Sequence, residues 1–299
     1  MAALEFATYD VFTDTAFAGN PLAVVFGADG LDDVAMQRIA REFNLSETTF
    51  VRTSANAHHS AEVRIFTPAR ELPFAGHPTV GTAIALAEAQ HGRDEARDVL
   101  LVLEEKIGPV RCAVKLGGKA SFAEFDAPKL AQQAGPGGTD AAAAGALGLD
   151  VREIGFDHHI PSFFTAGVPY AYVPVASLDA LARAYPTAAC TADALGVDEV
   201  YVYARAPRDA GHAFRARMFA PQFGIMEDPA TGSAAAGFAG VAARFEGLAD
   251  GWTQLPILQG VEMGKPSLIG LELQLTDGAL SGARISGQAV KVSEGRIFV

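Results

Sequence analysis

The sequence predicts an α+β protein of two similar domains, each a curved sheet around one central helix. Three observations carry this. Strand-like stretches of mixed length outnumber long helical patterns along the 299 residues, which favours α+β over a doubly wound sheet. A two-part motif recurs in the two halves of the chain. The helical pattern that follows each copy is apolar on every face.

Composition bounds the function. A chain of this length favours two domains over one core, and an apolar half with a charged fifth suits a folded globular protein. The net charge is −12 and the 23 basic residues form no run, so there is little to neutralise phosphates and a nucleic-acid role is excluded. Met1–Asn20 carries Glu5, Asp10 and Asp14 and reads as folded structure, not as a signal peptide. The longest uncharged stretch, His158–Leu178, is broken by Pro161, Gly167, Pro169 and Pro174, which argues for strands and turns over a membrane helix. The two cysteines, Cys112 and Cys190, form no disulfide or metal framework. A cytoplasmic location without membrane association is expected.

In chain order, Leu4–Phe12 and Leu22–Phe26 are β-branched and aromatic, separated by the turn Gly19-Asn20-Pro21. Leu31–Phe43 has Val34, Met36, Ile39, Ala40 and Phe43 near helical spacing, with Asp32 and Asp33 in its first turn. Thr48–Val51 and Ala61–Phe66 read as strands, and Val99–Val114 is strand-rich up to the turn at Gly117-Gly118. Beyond Phe125 the composition turns to Ala, Gln, Gly and Pro, the mark of a connection or a surface excursion. Further strands are expected near Ala171–Val175, Glu199–Ala204, Ala213–Phe219, Leu268–Leu275 and Ala289–Val292, with helices near Leu178–Tyr185 and Ser233–Phe245. The expected domains are residues 1–125, joined by 284–299 if the end of the chain returns, and 126–283.

The echo is specific. Arg64-Ile65-Phe66-Thr67-Pro68 matches Arg217-Met218-Phe219-Ala220-Pro221, and His77-Pro78-Thr79-Val80-Gly81-Thr82-Ala83 matches Asp228-Pro229-Ala230-Thr231-Gly232-Ser233-Ala234. Each second block has the chemistry of a helix start. His77 or Asp228 is placed at the N-cap, and Pro78 or Pro229 at the first helical position, where a missing N–H costs nothing. A helix apolar all round must be surrounded by protein, and the first should end at His91-Gly92. If a pseudo-twofold relates the domains, the two helix starts would face one water-poor pocket suited to a carboxylate or a developing enolate.

Among ionisable residues, Glu47 stands between a polar helix end and the apolar run Thr48–Val51, a junction where a carboxylate can be partly desolvated into the range of a general base. Of the adjacent acids Glu227 and Asp228, whose side chains diverge, Asp228 is the stronger candidate. The pairs His58-His59 and His158-His159 lack converging metal spacing and read as loop residues. No Gly-rich phosphate loop and no Gly-x-Ser-x-Gly elbow is present.

Several ordered stretches, Asp10–Thr13, Phe17–Val25, Asn44–Val51, Leu72–Thr79, Glu227–Ala234, Gln259-Gly260 and Gly264–Ser267, resemble the PhzF-like proteins of phenazine biosynthesis over essentially the full chain. The resemblance implies a diaminopimelate-epimerase-like fold: two domains, each a barrel-like, mostly antiparallel sheet around a central helix. It also implies an isomerase without metal or cofactor, moving a proton on a small cyclic carboxylate such as trans-2,3-dihydro-3-hydroxyanthranilate. Glu47 would be the proton shuttle, with His77, Asp228 and Ser233 as orienting or relay groups. Substrate-binding positions would be Asn20, Ser46, Gly76 and Gly232, the two glycines through their backbone N–H groups. All four catalytic positions match the family pattern.

Two rivals remain at this point. A racemase or epimerase of the same architecture would use two facing cysteines, whereas Cys112 lies in a strand pattern and Cys190 between helical stretches. A non-catalytic binding or scaffold protein would have no need of the acid/base set. A homodimer is the default assembly.

Overall fold

Residues 3–188, 190 and 192–299 are described in a computed structural model. The chain divides into two units, one ending at Pro128 and completed by Ser286–Val299, the other Lys129–Ile285.

The first unit contains β1 (Ala3–Val11), β2 (Asn20–Val25), α1 (Asp33–Phe43), β3 (Glu47–Arg52), β4 (Ala61–Phe66), β5 (Glu71–Leu72), α2 (Gly76–His91), β6 (Arg97–Glu105), β7 (Gly108–Leu116) and β8 (Ser121–Asp126). The second contains β9 (Gln132–Gly135), α3 (Asp140–Leu147), β10 (Ser162–Thr165), β11 (Pro169–Pro174), α4 (Leu178–Arg183), α5 (Ala192–Leu195), β12 (Val200–Arg205), β13 (Phe214–Ala220), β14 (Ile225–Asp228), α6 (Gly232–Phe245), β15 (Gly251–Gln254), β16 (Ile257–Gln259) and β17 (Ser267–Thr276). The last strand, β18 (Ala279–Phe298), begins in the second unit and ends in the first, where its residues 289–298 pair antiparallel with β1.

The units share one plan. In the first, β1 is antiparallel to β2, β2 parallel to β3 and β3 antiparallel to β4. In the second the same sequence of pairings joins β10, β11, β12 and β13. The far edge of β4 takes β5 antiparallel opposite Ile65 and Phe66, and β6 parallel opposite Ala61 and Glu62. The far edge of β13 likewise takes β14 antiparallel and β16 parallel, opposite Phe214–Ala216. These are barrel-like mixed sheets, mostly antiparallel, each around one helix.

The recurring Arg-x-Phe now has a physical reason. Residues i and i+2 of a strand share a face, so Arg64 lies over the Phe66 ring at 5.5 Å and Arg217 over Phe219 at 4.8 Å, within cation–π range. Each arginine also binds a glutamate on the neighbouring short strand: Arg64 pairs with Glu71, and Arg217 makes two 2.8 Å contacts to Glu227. Arg217 further donates to the carbonyls of Leu181, Ala182 and Ala184 at the end of α4.

Both central helices are buried through most of their length, Gly76–Glu88 in α2 and Gly232–Val241 with only Ser233 less covered in α6. Small residues let the sheet approach them. The Tyr172 hydroxyl donates to the Ala234 carbonyl at 2.8 Å, and a Cβ on Gly237 would lie 2.0 Å from that hydroxyl. Phe238, one residue on, packs edge-on against Tyr203 and Phe214 at 4.8 and 4.9 Å. By contrast α1 is amphipathic: Met36, Ile39 and Ala40 bury against Val25, Phe50 and Phe66, while Val34 is exposed. Asp32 caps its start through the Ala35 N–H, and Asn44 ends it in the left-handed conformation.

Two expectations need correcting. The Ala/Gly-rich stretch after Phe125 is not a bare connection. It contains β9, paired with β10, and α3, capped by Thr139 and burying Ala143, Ala144, Ala146 and Leu147. Alanine is both small enough to resemble linker composition and the best helix former. The helix expected over Leu178–Tyr185 stops at Arg183, where Ala184 turns extended.

Substituting Gly237→Ala should displace the Tyr172 phenol and lower unfolding free energy by about 2–3 kcal/mol. Urea denaturation of the purified variant measures this directly.

Candidate active site

In the first unit, three predicted site residues meet. Glu47 is the first residue of β3, just beyond the turn that follows α1, and lies level with Leu22 on β2. Asn20 opens β2 and is fully buried. His77, 3% exposed, sits in the first turn of α2. Its Nε2 lies 3.1 Å from Glu47 Oε2, close without being aligned as a formed hydrogen bond. The Asn20 amide nitrogen is 3.2 Å from His77 Nδ1. Burial drives the imidazole pKa down to about 3, against a smaller opposing effect of the Pro21 carbonyl. His77 is therefore neutral at ordinary pH, and this half of the site sets a carboxylate beside a neutral imidazole at a buried helix start. Ser46, half-buried, precedes Glu47, and Gly76 is the first residue of α2.

In the second unit, Asp228 ends β14 and is nearly buried. Its Oδ2 accepts from the Thr231 hydroxyl at 2.5 Å. Gly232 and Ser233 open α6, and the Ser233 hydroxyl is 2.8 Å from the Tyr170 hydroxyl. Gln259, fully buried, accepts from the Thr231 N–H and donates to the Asp228 carbonyl and the Thr231 hydroxyl.

The helix starts differ from the expected ones. Ala75, not His77, is the N-cap of α2, and Thr231, not Asp228, is the N-cap of α6. Pro78 is the third helical residue, and Pro229 lies outside the helix. The first three N–H groups of a helix are all without intrahelical partners, so a proline is tolerated at any of those positions and does not mark the first. Neither N-cap side chain bonds the helix, and in the second unit the Gln259 oxygen takes the Thr231 N–H. The residues missed in the sequence, Tyr170, Thr231 and Gln259, are distant from the motif or ordinary in type. Thr231 and Gln259 carried a signal, as parts of family-like stretches.

The histidine pairs divide. His58 and His158 are exposed, and His59 contacts Glu104 at 3.1 Å. His159 lies outside the named helices and strands but is buried, 2.9 Å from the Tyr203 hydroxyl and 2.7 Å from Glu246. Among the described residues, no group of three or more His, Cys, Asp or Glu is placed to hold a metal ion. Cys112 and Cys190 are both buried thiols, and burial pushes the pKa of each upward, that of Cys190 to about 11.

A sheet-wrapped helix that presents a carboxylate and a neutral imidazole at its buried start has the equipment of an isomerase, and this protein is one. It belongs to the phenazine biosynthesis-like protein family (PhzC-PhzF), whose model matches residues 9–295. An uncharacterized isomerase of Mesorhizobium japonicum is 50% identical to it over the whole of both chains. The trans-2,3-dihydro-3-hydroxyanthranilate isomerase of Pseudomonas fluorescens is 37% identical over 99% of each. A PhzF-family protein of Bacillus anthracis, solved by crystallography, covers both chains fully at 27% identity with a TM-score of 0.87. The fold is thus the diaminopimelate-epimerase-like one, with two domains.

The depressed His77 pKa has a consequence for folding. Between about pH 6.5 and 3 the unfolded chain takes up a proton that the folded chain refuses. The stability this histidine contributes is full above that window and falls with acidification, by roughly 1.4 kcal/mol per pH unit. Urea midpoints measured from pH 7 to 4 should fall less steeply in His77→Gln than in the wild type.

Proposed function

We propose that this isomerase moves a proton on a small cyclic carboxylate without metal or cofactor, and that trans-2,3-dihydro-3-hydroxyanthranilate is its substrate. The observation that carries the reading is the 3.1 Å approach of His77 Nε2 to Glu47 Oε2 at the start of α2. In the proposed reaction the Glu47 carboxylate removes a proton from one ring carbon, becomes the carboxylic acid, and returns the proton to another. The C–H bond broken at the first carbon is replaced by one formed at the second, so no electrons leave the substrate.

His77 suits an orienting role better than that of a second base. A neutral ring beside Glu47 adds no competing charge to the carboxylate. Asp228 and Ser233 are proposed as groups that orient the substrate or relay protons. Gly76 and Gly232, at the helix starts, would offer backbone N–H groups to its carboxylate. Support comes from the relative of the same catalytic name at 37% identity. A mechanism using two thiols has little to recommend it here, because Cys112 lies on a strand and neither cysteine is at a central-helix start.

Wild type and Glu47→Gln, each incubated with that substrate in deuterated water, are to be followed by NMR. Wild type should isomerise the ring and incorporate deuterium. Glu47→Gln should lose at least about a hundredfold in rate, the lower end for removal of a positioned general base. Absence of exchange and turnover in the wild type would remove this substrate from consideration.

A further inference from the structure

The echo that relates Arg64 to Arg217 also relates the strands beside them. β16 runs parallel to β13 with Phe214, Arg215 and Ala216 level with Ile257, Leu258 and Gln259. β6 runs parallel to β4 with Ala61 and Glu62 level with Leu103 and Glu104, which puts Glu105 at the next position, beside Val63. Since Arg64 corresponds to Arg217, Val63 corresponds to Ala216, and Glu105 falls where Gln259 falls. Each is the end of the strand that meets the segment leading into its central helix.

Each also bonds a threonine hydroxyl at its helix start, the N-cap Thr231 in the second unit and Thr79, the fourth residue of α2, in the first. Gln259 Nε2 donates to the Thr231 hydroxyl at 3.1 Å, and that hydroxyl donates to Asp228. Glu105 Oε1 lies 2.7 Å from the Thr79 hydroxyl oxygen, which is itself 2.8 Å from the carbonyl of Ala75, the N-cap of α2. A threonine hydroxyl has one proton. An ionised Glu105 and the Ala75 carbonyl would both be acceptors, and one proton cannot serve two contacts this short. A protonated Glu105 resolves the conflict: its O–H donates to Thr79, and Thr79 donates to Ala75. The other oxygen, Oε2, is buried with no hydrogen-bond partner among the described residues, a costly position for a charged oxygen and a tolerable one for a carbonyl.

We infer that Glu105 and Gln259 are equivalent positioning residues, each holding its helix start through a threonine hydroxyl, and that Glu105 does so as a neutral carboxylic acid. Gln259 acts on the segment bearing Asp228, Gly232 and Ser233, and Glu105 acts on the turn bearing Gly76 and His77. Their importance for turnover rests on the function proposed above, whereas the protonation state of Glu105 does not.

Burial agrees, raising the Glu105 pKa to about 8. The ionisable groups on the elements around it leave that state undisturbed. On α2, His77 is neutral. On β4, Glu62 and Arg64 alternate to the face opposite Val63 and are paired with Arg52 and with Glu71. On β7, Arg111 is exposed, and the Cys112 thiol is itself pushed up by burial and by Glu105.

Three measurements on the full-length protein test this. Infrared difference spectra of wild type against Glu105→Gln should show a protonated-carboxyl band at pH 7 that the variant lacks. From about pH 4.5 to 8 the folded wild type retains a proton that its unfolded chain releases, so its stability falls as pH rises through that window. The thermal midpoint of Glu105→Gln should therefore gain on that of wild type up to pH 8 and hold a constant margin above it. In turnover, Glu105→Leu should lose roughly tenfold in kcat, more than any change in KM, and Glu105→Gln should recover most of that loss. A carboxylate band at pH 7, a midpoint difference that does not vary with pH, or a Gln variant as impaired as the Leu variant would overturn the inference. If wild type turns over no substrate, the proposed function fails, and the infrared and midpoint measurements still decide this one.

Discussion

The structure depends on one constraint: each unit buries a helix, including the start of that helix. The first N–H groups of any helix lack intrahelical partners, and at a surface water would take them. Around α2 and α6 the protein must supply those partners or leave the groups for a ligand. The Ala- and Gly-rich helix sequences, the aromatic strands packed on them and the strand ends that meet their first turns follow from that requirement. Tyr172 shows how closely the sheet approaches the helix, since its phenol reaches the Ala234 carbonyl only because Gly237 has no Cβ.

The duplicated frame carries unlike chemistry around its two helix starts. α2 begins one residue before the polar member of the motif, and α6 begins four residues after it. His77 is thereby carried inside the first turn of a buried helix, where desolvation removes its charge. Asp228 stays on a strand end, where Thr231 can hydrogen-bond its carboxylate. One repeat thus yields a neutral imidazole and the other a hydrogen-bonded carboxylate.

Much of the fold was legible because it is written in patterns of residue type. The echo of Arg-x-Phe-x-Pro followed by a helix start implied a repeated unit, and helices apolar on all faces implied a surrounding sheet. Glu47 stood out because it interrupts the passage from the polar end of α1 to an apolar strand. What stayed hidden depends on contacts across the fold. Nothing in the types of Tyr170 or Thr231 predicts the hydroxyl of Ser233 or the carboxylate of Asp228 as a partner. His159 looked like a loop residue beside His158, yet the Phe156–His159 bridge turns it inward onto Tyr203 and Glu246. The helix starts were misplaced because a proline is equally at home at any of the first three helical positions.

The arginine of each repeat shows why the two blocks of the echo occur together. Arg64 and Arg217 stand between a short antiparallel strand and a parallel one on the same edge, and each binds the glutamate of the short strand. That ion pair sets the height at which the short strand ends, and so where the chain turns toward its helix. For Arg217 the pair is largely buried, and its remaining donors are satisfied by the carbonyls at the end of α4. Removing the guanidinium would strand Glu227 and those carbonyls together, a penalty far above that of an exposed pair. The arginine and the helix start are therefore parts of one device. The arginine places the strand end, and the strand end places the residues that meet the substrate in the function proposed here.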